Sequence, residues 1–411
     1  MKLRSILSIL VSVSMFTSYV QAQPITDTLL INLLKRQASP FLKSILNQPN
    51  VYQYQVIYTQ INRDKKGKPH FSYYMLNVDP NCYFYPASTV KLPTAIIALE
   101  KLNKLKVKGV DKNTTMLTDS AHKGQSAMFT DTSSLSGLPS ISHYIKKVFL
   151  VSDNDAYSRL FEWVGQQTLN ERLWKQGYVN THIPRRFFVM SDEDHHYTNP
   201  ISFIKGNSTL LKQPAAYSTL KFDFSKDHRI QRQLPNNMGH LISDTLNLAT
   251  HNTFPLHDQQ QILQSVLFPA SVPASQRFNL SKDDYRLLYT YMGMLPRQSS
   301  SPRYDPKIFF DTYGKFFLYR AGKQPIPSFI HIYNKAGWAY NFLTDNAYFV
   351  DTQNNVEFMI AAVINLNMDR SVNDRYEQTG YPFFQEIGSI IYNYELKRSR
   401  KYKPALKALK P

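Results

Sequence analysis

Cysteine is almost missing from this chain: Cys82 is the only one in 411 residues. A single thiol forms no intrachain disulfide, so the core must hold the fold without a covalent staple. Beyond the N-terminus, no segment approaches the roughly 18 uninterrupted apolar residues of a membrane span. No Cys follows the first apolar run directly, which argues against a lipid-anchored cysteine. Zinc-finger spacing and a helix-turn-helix pattern are also missing, and with them the sequence argument for nucleic acid. No internal repeat is visible.

What is present fits a globular, strand-containing protein. Apolar residues make up 43%, with 27 Tyr and 25 Phe, enough for a sizeable core and unlike a disordered chain. The length suits one large domain or two ordinary ones. Lys2 and Arg4 precede a mostly apolar run from Ile6 to Val20, and Val20-Gln21-Ala22 offers small-residue cleavage before Gln23. Residues 1–22 therefore read as a secretory signal, with an uncleaved anchor as the alternative. Export without disulfides fits a periplasm. The formal charge is +18, and part of it lies in a tail over 397–411, at Lys397, Arg398, Arg400, Lys401, Lys403, Lys407 and Lys410. Such a run suits an anionic envelope surface, or is simply a solvated terminus.

The apolar period predicts a helix from Ile25 to Leu46, broken near Pro40, and then an antiparallel hairpin, Val51–Ile61 and His70–Val78. The middle is mostly helical: Ile141–Leu150, Asp155–Val164, Leu169–Gln176, His257–Leu267 and Lys282–Leu295, the last with a capping box at Ser281 and Asp284. Residues 205–255 and 296–328 lack period and read as long loops or additions. Phe329–Asn334, Asn346–Asp351 and Val356–Ile364 read as strands, and Phe383–Tyr394 as a closing helix. Strands at both ends predict one antiparallel sheet flanked by terminal helices, with a helical lobe from the middle.

Ser88 and Lys91 form an S-x-x-K pair at the start of a helix whose stripe is Leu92, Ala95, Ile96, Leu99 and Leu102. Positions i and i+3 share a helix face, so hydroxyl and amine can meet. A serine hydroxyl needs a neighbouring base, and a lysine serves only if burial or nearby positive charge lowers its pKa. The spacing alone is weak, since Ser120/Lys123, Ser202/Lys205 and Ser218/Lys221 repeat it. Two further motifs follow in order: Ser152-Asp153-Asn154 at a junction of two predicted helices, and Lys335-Ala336-Gly337 at a strand end.

With these three motifs in this order the chain resembles the class A β-lactamase-like and penicillin-binding protein superfamily of serine hydrolases. The resemblance covers roughly Asp27 to Leu396. It implies an α+β, β-lactamase/transpeptidase-like domain over 23–396, with an added segment at about 205–328. It implies Ser88 as nucleophile, Lys91 as base, Ser152 as proton relay, and Asn154, Lys335, Gly337 and Trp338 on the substrate, the N–H groups of Ser88 and Trp338 holding the oxyanion. No cofactor is expected. The substrate would be a β-lactam or a related peptidoglycan-derived amide. A DD-peptidase and a non-catalytic envelope-binding module on the same fold are the alternatives.

Some residues depart from the family pattern. Ala336 stands where the family has a hydroxyl residue, and Trp338 and Tyr340 add bulk. In the family a deacylating glutamate precedes an asparagine by four residues; here His195 takes that place before Asn199, and Glu193 lies two positions earlier. Either His195 or Glu193 would then activate water, with Lys335 keeping His195 neutral and activity through it falling below about pH 6. The run Asp192-Glu193-Asp194-His195-His196 also suggests a metal, but no outlying His or Cys has matching spacing.

Overall fold

A computed structural model describes residues 24–225, 228–235, 241–366 and 375–406. The expected signal segment and the last tail residues, Lys407 and Lys410 among them, lie outside these.

Helices α1 (Thr28–Gln37) and α2 (Pro40–Leu46) confirm the break at Pro40, where Ser39 caps α2 and proline opens it. One helical turn, α3 (Pro49–Tyr52), takes Tyr52 out of the expected strand. The hairpin follows as β1 (Gln55–Arg63) and β2 (Pro69–Leu76). Helix α4 (Lys91–Leu105) is the chain's central rod. Its residues 91–100 are buried all round rather than along one stripe, because sheet and lobe both cover it.

The lobe comprises β3 (Thr115–Thr118), α5 (Ile141–Val151), α6 (Asn154–Val164) and α7 (Gln166–Lys175). Two hairpins then occupy the stretch expected to be loop: β4 (Ile201–Lys205) with β5 (Ser208–Gln213), and β6 (Arg229–Pro235) with β7 (Leu241–Asn247). Gly206, at φ +56°, makes the first turn. The β5 strand is largely exposed and polar, so no alternation marked it. Helices α8 (Leu256–Leu267) and α9 (Lys282–Gly293) follow, the latter with the expected reciprocal capping box. Residues 299–328 contain no helix or strand among the described residues.

The C-terminal strands are β8 (Ile330–Asn334), β9 (Gly337–Ala339), β10 (Phe342–Asp351) and β11 (Val356–Asn365), closed by α10 (Tyr381–Lys397). They join the N-terminal hairpin in one antiparallel sheet, ordered β2-β1-β11-β10-β8 with β9 on β10. The strand pair β10 and β11 is buried on both faces, so β11 reads as a nearly continuous apolar run, and β10 does so only after Thr344-Asp345-Asn346. One core lies between sheet and lobe, around α4; a second lies between the sheet and α1, α2 and α10. This is the α+β, β-lactamase/transpeptidase-like fold that the motif order implies.

The start of the basic tail is tied down. Arg398 donates to Asn62 Oδ1 at 2.6 Å, and Arg398 and Arg400 both pair with the buried Glu395. Part of the tail's charge is therefore a counter-ion for the core.

Candidate active site

Ser88 lies on a tight turn, Ala87–Val90, that runs straight into α4. Ala87 is held at φ +46°, a region that a β-carbon disfavours. Thr89 secures the turn: its N–H, at 3.1 Å, and its hydroxyl, at 2.7 Å, both donate to the Pro86 carbonyl. Strand β9 presses on the same turn through Gly337, where a Cβ would sit 2.6 Å from Ser88 N and 2.8 Å from Pro86 O. Close approach to the Ser88 backbone, not a turn, explains glycine there.

Ser152 ends α5 at φ +60°, another strained position for a residue with a side chain. Asp153 starts α6, its carboxylate accepting the Ala156 N–H at 2.8 Å. The motif is thus also a helix cap. Lys147 steadies this corner, 3.1 Å from Asp131 and 3.8 Å from Asp153.

Two buried amines converge on Ser152. Lys91 donates to Asn154 Oδ1 at 2.6 Å, to Ser152 Oγ at 3.2 Å and to the Ser152 carbonyl. Burial, then the Lys335 charge, pushes its pKa well below the usual lysine range. Lys335 donates to Ser152 Oγ at 2.9 Å and to the Ala336 carbonyl at 2.8 Å, and burial brings it down to about 7. Among the described residues no hydrogen bond joins the Ser88 hydroxyl to the Lys91 amine, which is engaged by Ser152 and Asn154.

A cleft of about 390 Å³ opens over Ser88, lined by Asn154 and Trp338 and by Arg185, His195 and His251. Among the described residues that line it there is no Asp or Glu. His195 is 1% exposed, and its Nδ1 has no hydrogen-bond partner among the described residues. Burial, then Arg185 and Arg186, pushes it down to about 3. Burial and then the arginines, not Lys335 as expected, hold this imidazole neutral, and its titration lies far below pH 6. Glu193 is exposed and faces Tyr217 outside the cleft. Asn199 is consumed by structure: it donates to the Asp119 and Ser126 carbonyls at 2.8 and 3.2 Å, and Arg186 donates to it at 3.2 Å.

The structure therefore brings together Ser88, Lys91, Ser152, Asn154, Lys335, Gly337, Trp338 and His195, and leaves Glu193 outside. The acidic and histidine run does not converge: Asp194 binds Ser191 and His122, and His196 binds the Ser218 carbonyl. Among the described residues no three His, Cys, Asp or Glu side chains are grouped to hold a metal.

Sequence reasoning missed Arg185, His251 and Tyr85. Arg185 lies within 2.9 Å of His251 and of Asp192. Tyr85, His251 and Tyr340 meet edge to face, with centroids 4.9 to 5.9 Å apart. The basic and aromatic run Arg185-Arg186-Phe187-Phe188 was a usable signal for this wall; nothing in the sequence marks His251.

A family model described as the β-lactamase enzyme family matches residues 38–242, about half of the chain. That span holds the Ser88 and Ser152 motifs. No curated protein matches the sequence. Among solved structures, a class A β-lactamase from Bacteroides cellulosilyticus DSM 14838 is 13% identical over 89% of this chain and 97% of that one, with a TM-score of 0.49. A β-lactamase from Sphaerobacter thermophilus DSM 20745 is 12% identical over 86% and 97%, with a TM-score of 0.46. PBP-A is 13% identical over 91% and 98%, with a TM-score of 0.47. Over residues 38–242 the chain belongs to the β-lactamase enzyme family.

Proposed function

We propose that this protein is an exported serine hydrolase that forms an acyl-enzyme at Ser88 from β-lactams or related cell-wall amides, and that release of the acyl group is its slow step. One observation carries the reading: behind Asn154, which lines the cleft over Ser88, two amines converge on Ser152, and no Asp or Glu is among the described residues that line the cleft.

The steps follow from these groups. Burial keeps the Lys91 amine neutral enough to take the Ser88 proton as the serine oxygen bonds to the amide carbon. The proton passes through the Ser152 hydroxyl to the leaving nitrogen as the carbon–nitrogen bond breaks. Lys335 donates to the Ser152 oxygen and supplies positive charge during this transfer. The Ser88 and Trp338 N–H groups hold the oxyanion, as the resemblance implies, and Asn154 holds a substrate amide.

Hydrolysis of the acyl-enzyme needs a base for water. His195 faces the cleft, but an imidazole that releases its proton at about 3 accepts one poorly. The same observation favours a penicillin-binding or DD-peptidase role over rapid β-lactam destruction. The natural acyl donor would then be a peptidoglycan peptide, with the exposed lysines of the tail against an anionic envelope.

Intact mass after incubation with a penicillin, followed in time, tests the reading. The expected result is an adduct on Ser88, a burst of product and a slow steady state. A linear progress curve without a trapped adduct overturns slow release. No adduct and no turnover makes the protein a binding module.

A further inference from the structure

Beneath Lys335 lies a second layer of ionisable groups that acyl transfer does not use directly. Lys315 comes from the irregular stretch before β8, and its side chain is buried. Its amine donates to the carbonyls of Met292 and Ile332 at 2.9 and 2.7 Å and to Asn334 Oδ1 at 2.9 Å. Three acceptors satisfy the three N–H bonds of an ammonium. Asn334 turns its amide nitrogen to Asp345 Oδ1 at 2.8 Å. Asp345, wholly buried on β10, also accepts the Asn346 N–H at 2.8 Å and the Phe316 N–H at 2.9 Å. Lys335 follows Asn334 directly, and its backbone N–H reaches the Asn346 carbonyl at 3.3 Å. The charges facing one another across the sheet and lobe are therefore Lys315, Asp345, Lys335 and Lys91, with Asp153 acting on Lys91 from the start of α6.

The geometry points to Lys315 and Asp345 as positioning residues for Lys335: Lys315 holds Asp345 ionised, and Asp345 holds Lys335 protonated against the Ser152 hydroxyl. A buried carboxylate without a cation takes up a proton, and a buried ammonium without an anion sheds one. Each group is poised for this. Burial raises Asp345 to about 6 against its hydrogen bonds and Lys315. Burial lowers Lys315 to about 8, opposed by Asp345. Burial lowers Lys335 to about 7; Asp345 opposes the fall, and the weaker Lys315 repulsion adds to it. Losing Asp345 drives Lys335 towards the neutral amine directly; losing Lys315 removes the weaker repulsion but lets Asp345 take up a proton, which removes the stronger attraction, so the net drive is the same way. The stretch that looks like an addition in the sequence thus supplies a charge to the catalytic floor.

The functional meaning of this device rests on the Ser88 reading, but its first test does not. That test is a lysine side-chain nitrogen NMR titration of the full chain, the Lys335 signal being the one lost in Lys335→Arg. Asp345→Asn and Lys315→Met are expected to lower the Lys335 midpoint by about one pH unit, about tenfold in proton affinity. Lys315→Arg, which keeps the charge, is expected to leave it near the wild-type value. Penicillin labelling of Ser88 should follow: about tenfold slower than wild type at about pH 8 in the two neutralising variants, and within about twofold at about pH 6. An unmoved midpoint in the folded variants overturns the proposal, as does Lys315→Arg shifting as far as Lys315→Met. If Lys315→Met does not fold, Asp345→Asn and Lys315→Arg decide. Absence of labelling in the wild-type protein overturns the Ser88 reading alone, because the midpoints still decide this one.

Discussion

On one side of Ser88, the α5–α6 corner and the strand break at Lys335 put two buried amines on a single serine hydroxyl. On the other side, residues 184–199 and 248–252 present arginines, two imidazoles and aromatic rings, with no carboxylate among the described lining residues. Both walls are well ordered by hydrogen bonds, so the difference is chemical. The first wall has groups whose proton affinity burial has brought towards neutrality. The second has His195 and His251 pushed down to about 3 and about 4, by burial and then by arginine charge. A site can thus be equipped for the attack on an amide and poorly equipped for the attack of water. Burial of the imidazoles, with cations packed against them, is enough to create that imbalance.

The sharpest way to break the comparison is Ser88→Ala. It should abolish covalent labelling, at a stability cost of about 1 kcal/mol or less, read by intact mass and thermal melting. Adduct formation in this variant would move the nucleophile elsewhere. Next in size, Lys91→Arg should slow acylation as severely as Lys91→Ala, by about 10²–10⁴. Arginine keeps the charge but does not release a proton in this setting. An arginine variant near the wild-type rate would reduce Lys91 to an electrostatic prop.

The second wall is sharpened by adding what it lacks. His195→Glu places a carboxylate beside Arg185 and Arg186, which would keep it ionised, and steady-state turnover should rise by about tenfold or more. Unchanged turnover would mean that position 195 does not face the attacking water. The smallest effect concerns pH. Because His195 loses its proton at about 3, it is neutral at every pH above that, so decay of isolated acyl-enzyme should not fall between about pH 7 and about pH 5 through this residue. A fall with a midpoint near 6, absent in His195→Ala, would contradict the burial-driven shift; Glu193→Gln, its carboxylate facing Tyr217, serves as the unchanged control.

Sequence reading served the two walls unequally. Ser88/Lys91 and Ser152-Asp153-Asn154 are local spacings, and a helix or a helix junction converts such spacing into geometry. The sheet was similarly legible, because apolar runs at both chain ends had only each other to pair with. Arg185, His251 and Tyr85 come from segments about 65 to 100 residues apart and meet only through the fold. Lys315 and Asp345 were invisible for another reason: a buried charge carries the same letter as a solvated one. Thr344-Asp345-Asn346 even interrupts the apolar run of β10, so the strand was started late. The β6–β7 hairpin was missed because its polar strands give no alternation.

The contact of Gly337 with the Ser88 turn bears on how this protein can change under selection. Any side chain at 337 would collide with the backbone that carries the nucleophile, so β9 and the start of α4 have almost no room to drift. Apart from Arg186 and Asn199, which are tied to backbone carbonyls, the opposite wall is less constrained, and Val189 stands fully in solvent. A population challenged with a β-lactam should therefore gather its substitutions between residues 184 and 199, while residues 86–91 and 335–339 stay unaltered. Sequencing the survivors of such a selection would show the asymmetry as a map of tolerated change.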